Sequence, residues 1–200
     1  MKITKLEYQK LDPNRVSVFV DGQYAVGVNA GDVLTLGLYK DKEISPEELN
    51  KIIGQSEYGK LLNFALNFLS FRPRSEWEVR RHLKKKDTDE DQLTDRVVEK
   101  LKNIKQIDDE SFARWFVDQR NTFRPKGKRF LEHELRSKGI QSEVIKKVLG
   151  EDDTNEFEKA WLIVIKKKLT DREKIIRFLG TRGFSWDTIN EVLAKLKTND

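Results

Sequence analysis

A helical pattern that returns three times constrains this chain more than any other feature. Superposing Leu83, Leu135 and Leu179 brings the flanking residues into register without gaps. Four positions earlier stand Val79, Leu131 and Ile175; ten later stand Leu93, Ile145 and Ile189; fourteen later stand Val97, Leu149 and Leu193. Apolar residues recurring in this way mark amphipathic helices packed as small tandem units. Lys138-Gly139-Ile140 corresponds to Arg182-Gly183-Phe184. Gly139 and Gly183 can take the left-handed conformation that ends a helix, so the next apolar residue returns to the core. Unit one has Asp87-Thr88 at that place.

Each unit reads as three short helices. The first apolar stripes are Leu61, Leu62, Ala65, Leu66 and Leu69 in unit one, and Phe112, Ala113, Phe116 and Val117 in unit two. In unit three the stripe is Phe157, Ala160, Trp161, Val164 and Ile165. Breaks follow at Arg72-Pro73-Arg74, at Phe123-Arg124-Pro125-Lys126-Gly127 and at Thr170-Asp171. Ser75 and Glu78 have the spacing of a capping box, in which serine and glutamate each satisfy the other's backbone N–H. Glu151-Asp152-Asp153 reads as a solvated linker, since consecutive carboxylates make poor chelators.

The first 45 residues follow another period. Val16, Val18 and Val20 alternate toward one face, and Asp21-Gly22 suits a type I′ hairpin turn, which needs positive φ at both central residues. Residues 2–8 offer a third strand. Ser45-Pro46-Glu47-Glu48 then opens a leading helix carrying Leu49, Ile52 and Ile53. The predicted fold is mainly α: a tandem array of three three-helix modules behind a small N-terminal β-hairpin or meander. Expected boundaries are 1–45 for the β-rich segment and 46–106 for the first module with its leading helix. The second and third modules are expected at 107–152 and 153–200.

Composition excludes several classes of chemistry. There is no cysteine, hence no disulfide, thiolate nucleophile or cysteine-based zinc site, and the only histidines are His82 and His133. On separate modules these two are surface or helix residues rather than ligands, so no metal and no cofactor is expected. Asp108-Asp109 precedes a helix and suits capping better than acid–base work, and no serine has a histidine base at a recognisable spacing. No segment has the roughly 18 apolar residues that span a bilayer, and no signal-peptide pattern opens the chain. A cytoplasmic, non-enzymatic protein is expected.

Four motifs in order bear a resemblance to the RecX family of bacterial recombinase regulators. They are Arg72 to Arg80 (RPRSEWEVR), Ile107 to Ala113 (IDDESFA), Arg129 with Glu134-Leu135 and Lys138-Gly139-Ile140, and Arg177-Phe178-Leu179 with Arg182-Gly183-Phe184. Such resemblance implies a protein that binds the RecA recombinase and its single-stranded DNA filament, inhibiting filament growth, ATPase activity and strand exchange. It also implies that the helical modules lie in the filament groove.

With 39 Lys+Arg against 34 Asp+Glu the chain is mildly basic, and the excess lies wholly on the helical part. Three positions past each anchor leucine stand Lys86, Lys138 and Arg182. Around them lie Arg72, Arg74, Arg80, Arg81, Lys84 and Lys85; then Arg124, Lys126, Lys128, Arg129 and Arg136; then Lys166, Lys167, Lys168, Arg172 and Arg177. A basic strip repeated along an array suits a polyanion, because each phosphate neutralised releases counterions. The ordinary alternative is that lysines and arginines merely solvate wet helix faces. Phe112, Phe116, Phe157, Trp161 and Phe178 sit at core spacing; Trp77 is a candidate for partial exposure beside the basic residues. Two other functions stay open at this level. One is a free-standing DNA-binding protein with tandem helix-turn-helix-like modules; the other is a helical-repeat protein–protein adaptor.

Overall fold

The computed structural model describes residues 1–86, 91–152 and 155–198. Asp87-Thr88 and Asp153 lie outside the described residues. The chain divides into two compact units, residues 1–68 with 83–97 and residues 69–82 with 98–200.

In the first unit, strands β1 (Ile3–Gln9), β2 (Asp12–Val20) and β3 (Gln23–Asn29) form an antiparallel meander in the order β1-β2-β3. Asp21 and Gly22 have φ of 49° and 82°, the pair of positive values that the hairpin turn demands. Val16, Val18 and Val20 are buried on one face with Ile3, Val26 and Val28. Helix α1 (Ala30–Thr35) follows the sheet.

Helix α2 (Pro46–Leu69) starts at a complete capping box. The Ser45 N–H donates to the Glu48 carboxylate at 2.9 Å, and the Glu48 N–H donates to Ser45 Oγ at 3.2 Å. The leading helix and the first helix of unit one, expected as separate pieces, are one continuous helix. No proline falls inside it after Pro46, and neither Gly54 nor Gly59 adopts positive φ. Its early residue Ile52 is buried in the sheet's core, with Leu49 and Ile53 packed against it. Removing residues 1–45 would therefore expose the apolar side of this helix.

The remaining helices are α3 (Glu76–Leu83), α4 (Asp91–Asn103), α5 (Asp109–Phe123), α6 (Lys128–Ser137), α7 (Ser142–Gly150), α8 (Glu156–Lys166), α9 (Arg172–Thr181) and α10 (Trp186–Thr198). Within the second unit α5–α7 enclose one apolar core and α8–α10 another. Leu83, Leu135 and Leu179 are completely buried, as are Val79, Leu131 and Ile175. Leu93 is half-buried where Ile145 and Ile189 are buried, and Ile165, counted in a stripe, is half exposed at the end of α8.

The turns after α6 and α9 are the same motif. Gly139 and Gly183 both have φ of 78°. The N–H groups of Ile140 and Phe184 reach back to the carbonyls of Leu135 and Leu179, each at 3.2 Å, while the glycine N–H groups bond Arg136 and Gly180. This double bond is the Schellman closure, and Ile140 and Phe184 are buried beneath it. The anchor leucine thus serves twice, as core side chain and as acceptor for the closing turn.

Candidate nucleic-acid interface

Each Schellman turn docks onto the start of the preceding unit's middle helix, which creates two equivalent joints within the second compact unit. At the first, Ser75 Oγ donates to the Lys138 carbonyl at 2.7 Å, and the Glu76 N–H donates to Asp109 at 2.8 Å. At the second, the Gly127 N–H donates to the Arg182 carbonyl at 2.9 Å, and the Lys128 N–H donates to Glu156 at 2.8 Å. The carboxylates come from the first residues of α5 and α8, so each caps a helix belonging to its neighbour. Burial pushes the Asp109 carboxyl above its ordinary range, although the bond from Glu76 N–H opposes this.

Glycine is required here for contact as well as conformation. A Cβ on Gly139 would fall 2.5 Å from Trp77 Cβ, and one on Gly183 would fall 2.6 Å from Phe130 Cβ. A Cβ on Gly127 would lie 2.0 Å from the Gly183 carbonyl oxygen.

The joints differ in charge. Beside the first, Glu78 accepts two bonds from Arg72, both at 3.0 Å, and one from Lys138 at 2.7 Å. The predicted capping box at Ser75 is therefore only half made: Ser75 Oγ takes the Glu78 N–H, but the glutamate side chain turns to the two cations. Glu78 is only 9% exposed. Burial alone would push its carboxyl up, yet the bonds and charges of Arg72 and Lys138 hold it below the usual range. Arg72 also lies over the Trp115 ring. Two members of the predicted strip, Arg72 and Lys138, are thus ion-paired.

Phe130 stands in the second joint at the repeat position of Glu78. Beside it opens a cleft of about 670 Å³ that collects Arg120, Arg124, Lys126, Lys166, Lys167 and Arg182. Glu134 takes Arg120 through two bonds of 2.8 Å. Among the described residues no carboxylate lies within ion-pair distance of the other five cations. Aromatic rings hold some of them instead: Lys126 Nζ is 3.8 Å from the centre of Phe130, and the Arg182 guanidinium is 4.4 Å from that of Phe178. Burial, and next the charge of Arg182, push the Lys126 ammonium below its ordinary pKa. Phe123 stands at the rim, 73% exposed.

The structure therefore gathers Arg124, Lys126, Lys166, Lys167 and Arg182 from the basic residues named in the sequence and adds Arg120. Arg80 pairs with Glu76 and Arg136 with Glu132, each one helical turn away. Arg81 covers Trp77, and Lys86 lies over Phe64. Arg74 is half-buried at Pro73, its pKa lowered by burial and by Arg72. Lys84, Arg172 and Arg177 are exposed; Lys128 is half-buried. Arg129 and His133 border a separate groove with Trp186. Phe112 and Phe116 are core residues, whereas Trp77 is 41% exposed.

Sequence reading missed the exposed pair Phe71 and Phe123, which open the related segments Phe71-Arg72-Pro73-Arg74 and Phe123-Arg124-Pro125-Lys126. Their interval equals that between Leu83 and Leu135, a signal present in the sequence. Among the described residues no group of three His, Cys, Asp or Glu side chains could hold a metal ion, and no helix is long and apolar enough to cross a membrane.

Comparison with known proteins accounts for this layout. Residues 1–45 match the regulatory protein RecX N-terminal domain, residues 62–101 the first RecX three-helix domain, and residues 108–149 the second. Regulatory protein RecX of Bacillus subtilis (strain 168) is 35% identical over 98% of this chain and 77% of its own length. That of Clostridium perfringens (strain SM101 / Type A) is 30% identical over 100% of this chain and 98% of its own. The chain belongs to the RecX family of regulatory proteins. A crystal structure of regulatory protein RecX superposes with a TM-score of 0.75 at 26% identity, covering 97% of this chain and 98% of that one. RecX from Lactobacillus salivarius gives 0.62 at 25% identity over 71% and 97% respectively. The RecX fold thus supplies the tandem three-helix modules, while the two joints show what this sequence has built between them.

Proposed function

We propose that this RecX-family protein binds the RecA recombinase and its filament on single-stranded DNA, and inhibits filament growth, ATPase activity and strand exchange. It acts in the cytoplasm as a regulator without catalytic chemistry of its own. The observation carrying this reading is the cationic cleft beside the second joint. Five of its six cations have no carboxylate partner among the described residues, leaving their donors available to an anion. Charge of this kind drives encounter and register with a polyanion, while contacts to the recombinase supply specificity.

Co-sedimentation with recombinase filaments, with and without single-stranded DNA, tests the reading. The triple variant Arg124→Glu, Lys167→Glu, Arg182→Glu should fold normally, since none of these side chains enters an apolar core. It should lose filament binding and inhibition together, with a flatter salt dependence than the parent. Binding and inhibition equal to the parent at every salt concentration would overturn the assignment of this cleft to the filament.

A further inference from the structure

We propose that the cleft beside the second joint takes a phosphate group, and that its occupancy locks the joint between α5–α7 and α8–α10. The proposal deepens the filament reading only in naming a source of phosphate; the lock itself follows from the geometry.

The cations approach from both sides. Arg120, Arg124 and Lys126 belong to the second helical triplet or the segment within it, and Lys166, Lys167 and Arg182 to the third. Glu134 forms an ion pair only with Arg120 among these cations, and its charge also partly offsets that of Lys126. Like charges facing one another across a partly dry cleft repel, and the lowered pKa of Lys126 has Arg182 among its causes. Holding the joint closed without an anion therefore works against this repulsion.

Among the described residues the polar links across the joint are Gly127 N–H to the Arg182 carbonyl, Lys128 N–H to Glu156, and Lys159 Nζ to Asn121 and to Asp152, the last a largely buried ion pair. A phosphate contacting cations from both triplets favours the closed arrangement over any parted one, and by linkage it shifts the population toward closure. The rings under Lys126 and Arg182 strengthen the case for phosphate. Stacking occupies the flat face of a guanidinium and leaves its N–H edge available for the bidentate bonds phosphate accepts. A volume of about 670 Å³ admits a phosphate with its attached groups.

The chain contains no cysteine, so two introduced cysteines can be labelled without background. Ser142→Cys on α7 and Asn190→Cys on α10 place spin labels on exposed positions outside the cleft. Electron–electron double resonance of the full chain then reports the spread of distances between the triplets. The probes are sodium pyrophosphate, a thymidine oligonucleotide, and polyglutamate of matched charge.

The distribution should narrow on saturation with oligonucleotide, pyrophosphate or both, while polyglutamate leaves it broad. Narrowing by the oligonucleotide alone identifies a nucleic-acid backbone as the source; narrowing by pyrophosphate identifies free phosphates. In the Lys126→Gln, Arg182→Gln variant the distribution should be narrower before any addition and should respond much less, because one cation from each triplet is removed while the Arg182 carbonyl stays in place. A parent distribution unchanged by both phosphate probes overturns the lock, as does equal narrowing by polyglutamate or a full response in the variant. Closure on phosphate by a protein that does not sediment with filaments would overturn the filament reading alone. Inhibition of recombinase without closure would overturn only the lock.

Discussion

The two joints share one clasp, with a serine hydroxyl as donor in the first and a backbone N–H in the second, and are closed with opposite electrostatics. In both, a carbonyl just before a left-handed glycine accepts a bond from the start of the preceding middle helix, and a carboxylate caps the next N–H. At the first joint Glu78 gathers Arg72 and Lys138 into a compact ion cluster. At the second, Phe130 occupies that repeat position and the nearby cations stack on rings. One repeat position therefore separates a joint whose charge is spent internally from one whose charge faces outward. A tandem fold can keep its connector constant while a single side chain decides which connector is available to a ligand.

The largest expected effect breaks the shared clasp. Gly127→Ala should cost about 3 kcal/mol, because the added Cβ meets the backbone carbonyl of Gly183, which cannot rotate away. Calorimetry should show an early transition confined to α8–α10; an unchanged thermogram would mean that the second joint does not hold the third triplet.

Glu78→Gln tests the closure of the first joint. It leaves Arg72 and Lys138 without a counter-charge, and since each is about a third exposed the cost should be about 2 kcal/mol, below that of a fully buried pair. The corresponding pH effect has a definite sign. Because the folded-state pKa of Glu78 is depressed, its contribution is complete above the ordinary glutamate value of about 4.3 and disappears as pH falls through the lower folded value. Acid titration of stability should accordingly be shallower in Glu78→Gln than in the parent below about pH 4. Superimposable curves would remove Glu78 from the account.

Phe130→Glu sharpens the contrast by giving the second joint the carboxylate of the first. If two phosphate contacts are lost to the new side chain, the log–log salt slope of single-strand binding should flatten by about 1.4. Phe130→Leu, which keeps apolar bulk against Gly183, should leave the slope alone. The smallest effect is expected from Arg136→Gln, which removes an exposed pair with Glu132 and should change stability by less than about 0.5 kcal/mol.

What the sequence disclosed depended on the range of each interaction. Leu83, Leu135 and Leu179 were legible because a buried helix face imposes its period locally, and Gly139 and Gly183 because few other residues tolerate their φ. Asp21-Gly22 announced the hairpin for the same reason. The pairing of cations was not legible. The Ser75–Glu78 spacing suggests a reciprocal local bond, but Glu78 reaches Lys138, 60 residues away, and that partner decides its orientation. Arg120 escaped notice because it adjoins the apolar stripe of α5; only packing against Phe116 and Glu134 brings it to the cleft. The equal repeat positions of Lys138 and Arg182 concealed unequal surroundings, since the difference resides in a third residue, glutamate or phenylalanine.

Asp171 occupies in the third triplet the position held by Ser75 and Gly127 in the first two. Its carboxylate accepts the Lys174 N–H at 2.7 Å and starts α9 by itself. At this position the side chain is an acceptor, whereas at the first joint the Ser75 hydroxyl is the donor to the Schellman carbonyl. The aspartate thus spends on its own helix the side chain that, as Ser75, reaches across to a neighbouring triplet.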